Sequence, residues 1–131
     1  MAGNRDALRE RYERFSQGDI EGALDLWTDD FVWEGGDAPD YPGAGRHEGK
    51  QAAIEVLQEA VGAWDSFDLV PDEFFEQGDT VIVLGHTDVS KGDRSARLPV
   101  VHIWRLRDEG QICRLQILSD TLTGARVLGI V

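Results

Sequence analysis

Apolar residues recur at helical spacing through the first half of the chain. The pattern predicts a first helix over residues 6–17, which Gly18 ends, and a second helix that begins after Asp19 and includes Trp27. A third helix is predicted over residues 50–64. The three apolar stripes are Leu8, Tyr12 and Phe15; Ile20, Ala23, Leu24 and Trp27; and Ile54, Leu57, Val61 and Trp64.

The second half of the chain follows strand spacing instead. A short strand at residues 31–34 is followed by a loop rich in glycine and proline over residues 35–49, a length typical of lids and binding loops. Pro71 indicates an edge strand or a bulge. Four strands joined by hairpin turns are then predicted over residues 67–76, 80–90, 94–107 and 111–119. Helices first and hairpins later predict one α+β domain over residues 1–131, with the helices on one face of the sheet.

Composition narrows the classes of partner. The 131 residues carry 13 Lys and Arg against 25 Asp and Glu, a net charge of −12. Such a surface repels phosphate backbones and anionic lipid, so neither nucleic acid nor a membrane is expected as a partner. No apolar run approaches the ~20 residues that span a bilayer, and the first residues lack a signal-peptide core, so we expect a cytoplasmic protein.

The alternation of side chains along a strand indicates which polar groups point inward. His102 and Trp104 share one face of their strand and Arg105 lies on the other, which predicts that the two aromatic residues face the helices. In the strand over residues 80–90 both faces are apolar. If the larger side chains face inward, Leu84 and His86 lie on the same concave surface as His102.

Asp120 follows the last strand, and two interpretations stay open for it. Strict alternation from Arg114 puts Asp120 outside, where it caps the segment that begins at Thr121. A bulge at the end of the strand would instead turn Asp120 into the pocket, beside His102. A histidine in an apolar strand is commonly a packed core residue, so a catalytic interpretation depends on several polar groups meeting in one dry hollow.

Several motifs in order resemble those of the SnoaL-like and ketosteroid-isomerase-like proteins. They are the segment from Phe15 to Ile20, the segment from Ala23 to Glu34, the string that begins at His47, and the strand from Leu98 followed by Leu118-Ser-Asp-Thr. The resemblance covers nearly the whole chain. It implies the nuclear transport factor 2-like cone: three helices packed on a strongly curved, mainly antiparallel sheet around an apolar pocket, commonly as a homodimer.

The catalytic sets of these relatives are carried over only in part. Where steroid isomerases have a carboxylate base this chain has Gly35, where they have a protonated aspartic acid it has His102, and Tyr12 lies near their donor tyrosine. The resemblance to limonene-epoxide hydrolases aligns Asp120 with their acid–base aspartate, but Val100 stands where they have an arginine. Steroid isomerisation and epoxide hydrolysis are therefore both disfavoured.

The sequence leaves two functions open. The first is an acid–base enzyme of the isomerase, cyclase or hydrolase type that acts on a small, largely apolar molecule with carbonyl or hydroxyl groups. The second is a non-catalytic binding or dimerisation module of the same fold. The predicted catalytic residues are His102, Asp120, Tyr12 and His86, and the predicted pocket walls are Trp33, Trp64, Trp104, Leu84, Leu57 and Ile117.

No cofactor is expected. A zinc site made of His86, His102 and Asp120 is disfavoured because their spacing matches no metal motif. A homodimer is expected to form through the outer sheet face that carries Val101, Ile103 and Arg105.

Overall fold

The structure, a computed structural model, describes residues 3–131. Its helices are α1 (Asn4–Ser16), α2 (Ile20–Ala23), α3 (Lys50–Gly62) and α4 (Thr121–Leu128). Its strands are β1 (Trp27–Glu34), β2 (Arg46–Glu48), β3 (Ser66–Gln77), β4 (Thr80–Lys91), β5 (Arg94–Leu106) and β6 (Ile112–Ser119), with a 3₁₀ turn at Asp108–Gly110. Within residues 3–131 no helix has the length and apolar character needed to cross a bilayer.

All six strands form one sheet in the order β2-β1-β6-β5-β4-β3. Strand β1 runs parallel to β6, and every other neighbouring pair is antiparallel. This confirms the predicted α+β fold with a mainly antiparallel sheet. The sequence pattern missed β2 because its three residues are too few to show alternation.

The second helix is shorter than predicted. Asp19 caps α2 as expected, since its Oδ1 accepts a hydrogen bond from the Gly22 backbone N–H at 2.9 Å. However, α2 ends at Ala23, and Trp27 begins strand β1. There the Trp27 ring stacks on Phe31 with the ring centroids 3.9 Å apart. Packing in the core therefore overrides the helical spacing of Trp27.

A bulge bends the edge strand β3. Pro71 pairs with Gly85 and Glu73 pairs with Leu84, which leaves Asp72 as an extra residue between the two pairs. The predicted bulge or edge strand at Pro71 is confirmed in both respects, because β3 lies at one end of the sheet. A bulge increases the local twist and bending of a strand, and it helps curve the sheet around the helices.

The apolar core consists of two clusters. The larger one joins α1 and α3 to the strands through residues such as Leu8, Phe31 and Ile112, each 0% exposed. The smaller one joins the end of α3 to α4 through Trp64 and Val127. The space between these clusters holds the cavity described next.

Candidate functional site

A cavity of about 320 Å³ lies between the helices and the concave face of the sheet. Its size is within the range of ligand-binding pockets, which are usually ~300–1,000 Å³. Most of its wall is apolar. Five of the six predicted wall residues line the cavity: Trp33, Trp64, Trp104, Leu57 and Ile117.

Three aromatic side chains are joined by hydrogen bonds at one end of the cavity. The Tyr12 hydroxyl lies 2.6 Å from His102 Nδ1. Trp104 Nε1–H donates to the same hydroxyl at 2.8 Å. All three residues line the cavity and are at most 8% exposed. The predicted inward direction of His102 and Trp104 is therefore observed.

The hydrogen bonds of Tyr12 favour one position for the imidazole proton of His102. An indole N–H can only donate, so the Tyr12 oxygen accepts from Trp104 and its own proton is free to donate to His102 Nδ1. This arrangement pairs the Tyr12 hydroxyl, His102 Nδ1 and Trp104 Nε1, and it assigns the imidazole proton to Nε2, the remaining polar atom of the three side chains. Within residues 3–131 Nε2 has no hydrogen-bond partner. The atom is not fully buried, so it remains accessible from the cavity. It is therefore a donor that a ligand in the cavity can reach.

Burial sets the charge of this group. Desolvation lowers the pKa of His102 to about 4, so the ring is neutral near pH 7. Burial also raises the pKa of Tyr12 well above its usual range. His102 is consequently a weak base at neutral pH but an effective neutral hydrogen-bond donor.

Tyr12, one of the predicted catalytic residues, lines the cavity, but its hydroxyl is already hydrogen-bonded within the protein. The Tyr12 hydroxyl is hydrogen-bonded to both Trp104 and His102, although Trp104 is 92 residues away along the chain. Tyr12 therefore orients the imidazole, and His102 is left to meet the ligand.

The expectation that Leu84 and His86 face the cavity is wrong. Val81, Val83 and Val89 are at most 3% exposed, which shows that their face of β4 is the concave one. His86 lies on the opposite face, where its Nδ1 is 3.1 Å from Asp72 and its Nε2 is 3.8 Å from Asp88. The smaller valines fit under the helices, and the bulge at Asp72 supplies a partner for His86 outside.

Of the two interpretations of Asp120, the inward one beside His102 is wrong and the helix cap is confirmed. Asp120 caps α4: its Oδ1 accepts from the Thr123 N–H at 3.1 Å and its Oδ2 from the Thr123 hydroxyl at 2.7 Å. These two bonds lower the pKa of the Asp120 carboxyl. The strand ends without the bulge that would have turned Asp120 inward, and strict alternation holds.

Since His86 pairs with Asp72 on the outer face, His102 faces the cavity and Asp120 caps α4, the three side chains cannot share a metal ion. More widely, residues 3–131 contain no group of three or more His, Cys, Asp or Glu side chains placed to bind one.

The loop over residues 35–45 forms part of the cavity wall, which fits its prediction as a binding loop. Its neck is closed by the Gly35 N–H, which donates to the Gly45 carbonyl at 2.9 Å. A Cβ on Gly35 would lie 1.7 Å from the carbonyl oxygen of Gly43, so only glycine fits there. Beyond the neck, Asp37 is the one carboxylate on the cavity wall among the described residues.

Tyr41 of the same loop packs on α4. A Cβ on Gly124 would lie 2.0 Å from the Tyr41 hydroxyl, so this glycine provides the notch that receives the tyrosine. Burial first, and then the charge of Asp120, raises the pKa of Tyr41 to about 12. Tyr41 is thus neutral and closes the cavity beside Trp64, with the two ring centroids 6.2 Å apart.

Sequence reasoning missed Asp37, Tyr41 and two further wall residues, Arg11 and Thr87. Arg11 shares the helical stripe of Leu8 and Tyr12, and Thr87 shares the strand face of Val83, so spacing alone carried a signal for both. Arg11 is held by Asp25, 2.7 Å from its Nε. Asp37 and Tyr41 lie in a loop, where no periodicity exists to show their direction.

Glu34, next to the position where steroid isomerases have their base, takes no part in the cavity. Arg114 Nη2 donates to its carboxylate at 2.7 Å, and Arg46 pairs with it as well. Arg114 and then Arg46 lower the pKa of Glu34.

Comparison with known protein families identifies a SnoaL-like domain over residues 8–115. The chain belongs to the SnoaL-like domain family. This range runs from within α1 to the middle of β6 and includes the residues of the Tyr12–His102–Trp104 network. The resemblance inferred from the sequence motifs is confirmed. Comparison with curated proteins gives no match.

Solved structures share the whole fold. An NTF2-like protein of unknown function from Burkholderia pseudomallei K96243 superposes with a TM-score of 0.87 at 31% identity, covering 98% of each chain. TerC, co-crystallized with polyporic acid, has a TM-score of 0.86 at 31% identity and covers 96% of this chain and 98% of its own. IdmH of Streptomyces antibioticus, a proposed polyketide cyclase, is similar in fold, with a TM-score of 0.76 at 23% identity over 98% of this chain and 99% of its own. These neighbours confirm the nuclear transport factor 2-like cone.

Proposed function

We propose that this SnoaL-like protein is an acid–base enzyme of the cyclase or isomerase type that forms an enolate of a small, flat, largely apolar ketone. The observation that carries the proposal is the free Nε2–H of His102 in an apolar cavity, with Nδ1 engaged by Tyr12. The aromatic walls formed by Trp33, Trp64 and Trp104 suit a flat ligand. TerC, which shares this fold at 31% identity, was co-crystallized with polyporic acid, and this supports a small organic ligand for this chain.

In this reaction His102 acts on the carbonyl oxygen. As a C–H bond next to the carbonyl breaks, the electron pair moves onto that oxygen, and the Nε2–H bond strengthens as negative charge develops. A neutral donor is suited to the task because it keeps its proton, and the dry surroundings strengthen the interaction. The closed Tyr12–Trp104 network holds the donor in one orientation.

The proton leaves to Asp37 in this proposal. Asp37 is the carboxylate on the cavity wall among the described residues, and the loop that carries it is fixed at its neck. Its side chain is exposed. It can therefore exchange the captured proton with water and return another to the same carbon.

Exchange of C–H protons for deuterium tests this step without knowledge of the natural substrate. The probe is 2-tetralone, a bicyclic ketone, followed by ¹H NMR in D₂O in the presence and absence of the protein. We expect exchange faster than with buffer alone. His102→Phe removes the donor and is expected to slow the protein-dependent exchange by ~10²–10³-fold. Asp37→Asn removes the base and is expected to slow it by ~10²–10⁴-fold.

Asp72→Asn is the matched control, because Asp72 is a carboxylate on the outer face of the sheet, beside His86. It is expected to leave exchange unchanged. If the parent protein gives no exchange above buffer with 2-tetralone or similar ketones, the enzyme proposal is refuted.

A second function, ligand binding without catalysis, is favoured by one specific observation: the low pKa of His102 leaves no strong base at that end of the cavity. It predicts tight binding of 2-tetralone or polyporic acid, measured by quenching of tryptophan fluorescence, with no exchange in any variant. The two assays on one preparation separate the functions.

We also propose that the active form is a homodimer. On the outer sheet face Leu84 lies opposite Val101, which in turn lies opposite Leu118. Leu118 is 50% exposed and also borders the cavity. A continuous apolar row of this kind suits the self-complementary contact of a two-fold dimer. Sedimentation velocity is expected to show a dimer that Val101→Glu dissociates. Leu122→Glu, a change at a 53% exposed residue of α4, is the control and is expected to leave the dimer intact.

A further inference from the structure

Thr87 is a second polar group inside the cavity. It is 4% exposed and lies on the concave face of β4, between Leu69 of β3 and Leu98 of β5, and all three residues line the cavity. Within residues 3–131 its hydroxyl has no hydrogen-bond partner. The oxygen is not fully buried, so it remains accessible from the cavity. A buried hydroxyl without a partner costs stability, so its presence on an apolar wall calls for a role.

Thr87 and His102 lie well apart along the concave face of the sheet. His102 is opposite Val83 in the sheet, and Thr87 follows four residues after Val83 on the same face. Four residues of strand and one strand spacing separate the two Cα atoms by ~14 Å. Because both side chains project from a concave surface toward each other, we take their polar atoms to be on the order of 10 Å apart.

The two residues differ in their surroundings. Tyr12 and Trp104, which contact His102, belong to the larger apolar cluster. Leu98, which is opposite Thr87, belongs to the smaller cluster with Trp64. Val100 lies between Leu98 and His102 in β5 and also lines the cavity. The wall between the two polar groups is therefore apolar, and a ligand that satisfies both must be apolar along its middle.

We propose that Thr87 is a specificity-determining residue that binds a second oxygen at the far end of the substrate. The substrate class is then an elongated, rigid, polycyclic molecule with one oxygen at each end: one accepts from His102 Nε2–H and the other pairs with the Thr87 hydroxyl. This inference rests on the proposed function only in using His102 as the first anchor.

A pair of ligands of equal width tests the inference. In 2,6-dihydroxyanthracene two hydroxyls stand at opposite ends of three fused, otherwise apolar rings, whereas 2-hydroxyanthracene has a hydroxyl at one end only. Dissociation constants are measured by quenching of tryptophan fluorescence. Thr87→Val replaces the hydroxyl by a methyl group of similar shape and is expected to weaken binding of the dihydroxy ligand by ~3- to 10-fold. It is expected to leave the monohydroxy ligand within 2-fold.

His102→Phe separates the two proposals, since it should weaken both ligands in the parent background. If both ligands bind and Thr87→Val leaves both affinities unchanged, or changes both affinities equally, Thr87 is not an anchor. The inference is then overturned, while the role of His102 stands. If His102→Phe leaves both affinities unchanged, the first anchor is overturned and the proposed function with it. If the protein binds neither ligand, both proposals are overturned. Circular dichroism of each variant confirms that it is folded.

Discussion

Acidification should destabilise this protein through a single buried imidazole, His102. Desolvation lowers its pKa from 6.5 to about 4 in the folded state. Between these two values the unfolded chain binds a proton at this position that the folded chain does not. Stability due to His102 is therefore complete above pH 6.5 and is lost as the pH falls toward 4.

The magnitude follows from the size of the shift. A difference of about 2.5 pKa units corresponds to roughly 3 kcal/mol of unfolding free energy, of which ~1 kcal/mol is lost by pH 5.5 and most of the rest by pH 4. Carboxylates also titrate in this range, so the parent must be compared with a variant that lacks the imidazole. His102→Gln is the choice because its amide can both accept from Tyr12 and donate into the cavity.

Urea unfolding at several pH values between 7.5 and 4 supplies the free energies. We expect the parent to lose roughly 3 kcal/mol more than His102→Gln over this range. NMR of the assigned His102 ring should show no protonation between pH 8 and 5. Parallel stability profiles for the two proteins, or a His102 titration midpoint at pH 6 or above, would refute the assignment of a neutral, desolvated donor.

Two further predictions concern α4 and its contacts. Asp120→Ala should lower the free energy of unfolding by ~1 kcal/mol in urea because the α4 cap is lost, whereas Asp120→Asn should keep most of the stability that the cap provides. A His102 NMR titration that changed in Asp120→Asn would contradict this capping role. Gly124→Ala should cost ~1–3 kcal/mol because the new Cβ meets the Tyr41 hydroxyl. Gly62→Ala, where a Cβ meets nothing within 4 Å, is the control and should be neutral or stabilising by up to ~1 kcal/mol; equal effects at the two glycines would argue against the notch.

The helices and the meander were predictable because their signals are local. Residues 50–62 repeat apolar side chains at helical spacing, and the hairpin turns around Gly78 and Gly92 have lengths that admit few alternatives. The two elements that were predicted wrongly also have physical explanations. Strand β2 is too short for a pattern, and Trp27 leaves the helical register because stacking on Phe31 in the core outweighs propensity.

Site prediction was limited by the strand with two apolar faces. For β5 the charge on Arg105 identified the outer face, so His102 and Trp104 were placed correctly. For β4 both faces carry aliphatic residues, and side-chain size favoured the wrong one, which misplaced Leu84 and His86 and hid Thr87. Hydrophobicity alone distinguishes two faces only when one of them is charged or polar.

The sequence by itself determined the family, the order of the elements and the burial of His102, because each depends on periodicity or on an adjacent charge. Only the tertiary structure decided what His102 does with its two nitrogens. Tyr12 is 90 residues away along the chain, and its hydroxyl reaches Nδ1 only when α1 packs against β5. The tertiary structure likewise assigned Asp120 to a helix cap, since a carboxylate takes the nearest backbone donors that the fold presents. The chemistry of this cavity is set by contacts between distant segments, which no local pattern records.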